Sequence, residues 1–96
     1  MRILKMALAA AALTTTPAMA AQYHAQPVAT PAAAKFALRG AVWNCDGSGC
    51  SAARADGRPE VVCASLARKV GTLRSFSIGG AALAPDVLEK CNDRAD

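Results

Sequence analysis

Histidine, aromatic side chains and long apolar runs are all scarce in this chain. Its 96 residues include one His, one Trp, one Tyr and two Phe, and 24 are Ala. Alanine carries little apolar area, so the 53% hydrophobic content overstates the core that can form. Ninety-six residues allow one small domain and exclude a two-domain enzyme. Apart from the N-terminus, no stretch is long or apolar enough to suggest a membrane span.

The N-terminus reads as an address. Arg2 and Lys5 give a positive start, Met6–Leu13 is an apolar run, and Ala18-Met19-Ala20 ends a small, polar stretch. This three-part pattern predicts a secretory signal peptide over 1–20, cleaved after Ala20. Eight apolar residues fall far short of the roughly 20 that a membrane-spanning helix needs. No Cys follows the cleavage site, which argues against a lipid-anchored mature end. Loss of Arg2 and Lys5 takes the charge from +4 to +2, with 9 basic against 7 acidic residues remaining. So small a charge is a matter of solubility and gives no reason to expect a nucleic-acid partner.

Ala21–Ala34 carries no charge, two prolines and no regular period, and predicts a flexible Ala/Pro-rich linker over 21–34. His24, the only histidine, lies in it and reads as a solvated tail residue. The following unit, 35–96, therefore has no histidine for general-base work or for Ser-His and Cys-His pairs. Its carboxylates fall mostly in turns and first helical turns, and mark no catalytic pair. The Gly-rich segment Asp46–Gly49 has no following Lys or helix, so it is a turn and not a phosphate loop.

Within 35–96, Lys35–Cys45 is a strand candidate, Asp46–Gly49 a turn, and Cys50–Ala55 a returning strand. Pro59 suits a first helical position, and Val62, Leu66 and Val70 recur at four-residue spacing before Gly71. A helix over Pro59–Val70 follows. Leu73–Ile78 is a third strand with Arg74, Phe76 and Ile78 on one face, and Gly79-Gly80 turns the chain. Pro85 opens a short helix that Asn92 would cap. The expected fold is α+β: a small β-β-α-β-α domain with a three-stranded, mainly antiparallel sheet and two helices on one face. Fourteen large apolar residues, including Val42 and Trp43, make a marginal core that calls for staples.

Four cysteines, Cys45, Cys50, Cys63 and Cys91, supply them. An even count in a short exported chain reads as two disulfides, for which three pairings exist. Cys45 and Cys50 would face each other across the hairpin, leaving Cys63 to join the long helix to Cys91 on the short one. A four-thiolate zinc site is the first competing reading, but the second half lacks the close pair that such sites show. The second is a redox-active Cys45–Cys50 pair, against which stand its wide spacing and the neighbouring Asp46. No cofactor is expected. One candidate binding surface remains, in which Trp43 stands with Arg39, Arg54 and Arg74 on the open sheet face. The competing reading packs Trp43 into the core, which needs its largest side chain.

Arg39-Gly40, Val42-Trp43, Cys45, Cys50, Arg58-Pro59, Val62-Cys63-Ala64, Leu66, Gly71, Ser75-Phe76, Gly79, Leu83, Leu88 and Cys91-Asn92 carry a resemblance. On these residues the stretch Leu38–Asn92 resembles an uncharacterised family of small secreted alphaproteobacterial proteins with four cysteines. The resemblance implies export and a four-cysteine framework, and brings no activity or catalytic residue with it. The expectation is an exported, non-enzymatic module, periplasmic or secreted, that binds a partner such as another envelope protein. A thiol/disulfide redox factor using Cys45 and Cys50 is the alternative.

Overall fold

A computed structural model describes residues 22–95 of the protein. The signal-peptide expectation for 1–20 lies outside the described residues. The elements are β1 (Tyr23–Pro27), β2 (Lys35–Leu38), β3 (Ala41–Asp46), β4 (Gly49–Ala52), α1 (Pro59–Val70), β5 (Leu73–Ile78), β6 (Ala81–Ala82) and α2 (Pro85–Asn92). All six strands form one antiparallel sheet in the order β2-β3-β4-β1-β5-β6. The fold is α+β with two helices and two disulfides, but the sheet has twice the expected number of strands.

Two of the three added strands have local causes. The expected strand Lys35–Cys45 is a hairpin in its own right: Arg39 and Gly40 adopt φ of 53° and 73° and fold β2 back on β3. Two successive positive φ angles are the signature of the tight hairpin turn. A Cβ at Gly40 would meet only the movable carboxylate of exposed Asp56, so it is the positive φ that favours glycine there. β6 is a two-residue return after Gly79-Gly80. The third correction is larger. Tyr23–Pro27, expected within a flexible linker, is a central strand of the sheet, paired with β4 on one side and β5 on the other. Its pattern is period two: Tyr23 and Ala25 are buried, His24 and Gln26 exposed. His24 is thus an exposed residue on an ordered strand.

Both helices begin where their sequence signals lie, and α1 also ends at its signal. Pro59 and Pro85 occupy first helical turns, where a missing N–H costs little, and Glu60 and Asp86 favour the positive end of the helix dipole. α1 ends at Gly71, whose φ is 96° and whose N–H donates to the Ala67 carbonyl at 2.8 Å. Asn92 does not cap α2. Its side chain turns to β5, accepting from the Leu73 N–H at 2.8 Å and donating to the Leu73 carbonyl at 2.9 Å. That two-point clasp pins the end of α2 to the start of the strand.

The core forms between the helices and one sheet face. Tyr23, Ala25, Trp43, Cys50, Ala52, Leu73 and Phe76 meet Val62, Cys63, Leu66, Ala67 and Cys91 in a single cluster. Strict alternation would put Arg74 beside Phe76. A register shift opposite Gln26/Pro27 breaks the alternation, so Leu73 and Phe76 both turn inward and Arg74 outward. Val42, expected in the core, is 57% exposed, because it alternates with Trp43 and so faces solvent.

Candidate functional site

The cysteines are bonded Cys45–Cys50 and Cys63–Cys91, and none is free. The first pair is in direct register across β3 and β4, beside a turn tied by Asp46. Asp46 Oδ1 accepts from the Ser48 hydroxyl at 2.7 Å and from the Ser48 N–H at 2.8 Å. These two bonds hold the Asp46 carboxyl below its ordinary range. The second pair ties the first half of α1 to the end of α2. With both bonds formed, no thiolate is left for a four-cysteine zinc site.

The surface expected around Trp43 is not assembled. Trp43 is fully buried. Its Nε1–H donates to the Leu38 carbonyl at 3.1 Å, and Tyr23 meets it edge-on at 6.0 Å. Tyr23 also meets Phe76 edge-on at 6.0 Å, so the aromatic residues form a core chain. Arg39 lies in the β2–β3 turn and donates from Nε to the Asp56 carbonyl at 3.0 Å. Arg54 follows β4 at the same end of the sheet, whereas Arg74 stands at the start of β5, at the opposite end. The three arginines are exposed but do not share a patch.

The open sheet face is instead a field of small polar groups. Lys35, Asn44, Ser51, His24, Ser77 and Ala82 form one continuous row across all six strands. Gly49 lies buried under the His24 ring, and a Cβ there would come within 2.5 Å of the Ala25 carbonyl oxygen. The imidazole thereby covers a glycine whose own side chain cannot pack. Packing over Gly49 accounts for the position of the His24 ring.

A groove of about 700 Å³ opens on the helix side, between α1, α2 and Leu38 of β2. Val61, Ala64, Val87 and Leu38 give it apolar walls, and Cys91 places the second disulfide in its lining. Arg68, Lys90 and Arg94 stand around it with Glu60. Three cations against one carboxylate give its lining a net positive charge. These residues are hard to single out in the sequence because the larger apolar stripe of Val62, Leu66 and Val70 dominates the α1 pattern. A parallel stripe was present: Val61, Ala64/Ser65 and Arg68 recur at helical spacing along the next line of α1. Val87, Lys90, Cys91 and Arg94 recur in the same way on and just beyond α2.

Among the described residues, no helix is long and apolar enough to cross a membrane. No curated protein and no solved structure matches the chain. A family model does match, over residues 7–93, and it takes in every strand, both helices and all four cysteines. The chain therefore belongs to DUF8200, a family of unknown function.

Proposed function

We propose that the protein is an exported, non-enzymatic binding module, periplasmic or secreted, whose cysteines are structural and whose ligand face is the groove between α1 and α2. The observation that carries the reading is the groove itself: a recess with apolar walls and a net positive lining, framed by disulfide-fixed helices. Ligand sites are concavities of this kind and size, about 300–1,000 Å³, with a few convergent polar groups. Two disulfides in a chain of this length fit an oxidising compartment. The N-terminal signal pattern and the resemblance to small secreted alphaproteobacterial proteins support export.

The rigid scaffold also supports binding over catalysis. Asp46 is engaged in its own turn, and Asn92 in joining α2 to β5. Equilibration of the purified protein in glutathione buffers tests the structural role of the cysteines. A structural pair stays oxidised at potentials down to about −300 mV, whereas a catalytic dithiol reduces near about −120 to −270 mV. Retention of both disulfides at about −270 mV is the expected result. Selective reduction of Cys45–Cys50 above that potential would replace this reading with a thiol/disulfide redox factor.

A further inference from the structure

We infer that the α1/α2 groove takes a single-chain amphipathic anion, an unbranched acyl carboxylate, with its headgroup at Arg68, Lys90 and Arg94. This rests on the groove being the ligand face, and it names the ligand class. The apolar walls made by Leu38, Val61, Ala64 and Val87 offer burial for an aliphatic chain, at about 0.8 kcal/mol for each methylene removed from water. Arg68, Lys90 and Arg94 also line the groove, and side chains of this kind lay aliphatic stems on apolar surface while keeping their charged ends in water. Guanidinium groups match the two oxygens of a carboxylate with paired N–H donors, so two arginines and a lysine favour this headgroup over a neutral or cationic one.

Charge and shape also select against other occupants. The chain's own apolar run, Met6–Leu13, is preceded by Arg2 and Lys5, which would meet three cations at the rim. A bilayer surface is engaged by protruding apolar side chains. Here the two large apolar residues most exposed to solvent, Val28 and Val42, lie outside the groove lining. The helix side presents a recess instead, suited to a chain that enters it. The Cys63–Cys91 bond fixes the spacing of the two walls, so the recess exists before the ligand arrives.

The test is calorimetric titration of the oxidised protein with dodecanoate below its micelle concentration. Acetate, dodecyltrimethylammonium and vesicles of anionic phosphatidylglycerol are titrated beside it. Saturable one-to-one binding of dodecanoate, and of none of the others, is the expected result. The triple variant Arg68→Gln/Lys90→Gln/Arg94→Gln should weaken dodecanoate at least about tenfold. Glu60→Gln, which removes the carboxylate at the rim, should strengthen it by about threefold. Unchanged Trp43 fluorescence checks that each variant is folded. Equal binding of the cationic detergent, binding to vesicles only, or an unaltered triple variant would each overturn the assignment. A photo-crosslinker at Ala64 in exporting cells separates the two levels of failure. Crosslinking to a partner protein there would remove the acyl anion but leave the binding module. Absence of both dodecanoate binding and any crosslink at Ala64 would remove both.

Discussion

The two disulfides sit in regions built on different principles. Cys45 and Cys50 are five residues apart and close a hairpin already held by its strand register and by the Asp46–Ser48 turn. Cys63 and Cys91 are 28 residues apart and join two helices that have no ladder between them. The first bond reinforces local structure that the chain forms readily. The second carries long-range order, helped by Asn92, which clasps the end of α2 to β5 across 19 residues. The candidate ligand face lies over the second region, so the binding proposed for it rests on the part of the molecule with the least local support.

Breaking each region in turn should separate them. The pair Cys63→Ala/Cys91→Ala should cost about 3.5 kcal/mol, since closing the longer loop removes more unfolded-state entropy. Urea unfolding of the variant would show the loss, and the groove should widen or collapse with it. Cys45→Ala/Cys50→Ala should cost about 2 kcal/mol in the same assay and leave the groove intact. Equal losses would remove the distinction between the regions. Asn92→Ala should cost about 1.5 kcal/mol, because it strands the part-buried Leu73 N–H and carbonyl. Amide exchange should then accelerate at Leu73 ahead of the rest of β5.

The smallest effect belongs to the hairpin turn. The Asp46 carboxyl has a folded-state pKa below its unfolded value, so its stabilisation is present above the unfolded value and fades as pH falls through the folded one. Asp46→Asn should lower thermal stability slightly at neutral pH and flatten the acid limb of the profile below about pH 4, so that variant and parent converge in acid. A large loss at pH 7 would show that the turn carries more of the fold than this account assigns to it.

Legibility in the sequence follows the same division. Both ends of α1 and the start of α2 were readable because Pro59, Gly71 and Pro85 mark them, and Val62, Leu66 and Cys91 mark the buried sides; the end of α2 was not, since Asn92 lies within the helix and bonds β5. Leu73–Ile78 was also readable as a strand, but its inward face was not. The register shift that turns Arg74 outward is set by its partner strand and leaves no period in β5 itself. β1 was misread because only Tyr23 and Ala25 point inward and prolines crowd its end, while its stability comes from neighbours far along the chain. The pairing of the cysteines could be reasoned from hairpin geometry. The groove could not, because it needs Leu38 of β2 placed beside two helix faces.

Export and the two-disulfide framework are tested together by an intact mass of the protein produced in cells with its N-terminal segment in place, alkylated before any reduction. The expected result is a chain beginning at Ala21 with no alkyl groups added, and a peptide map linking Cys45 to Cys50 and Cys63 to Cys91. Two or four added groups, or a Cys45–Cys63 or Cys45–Cys91 peptide, would contradict it.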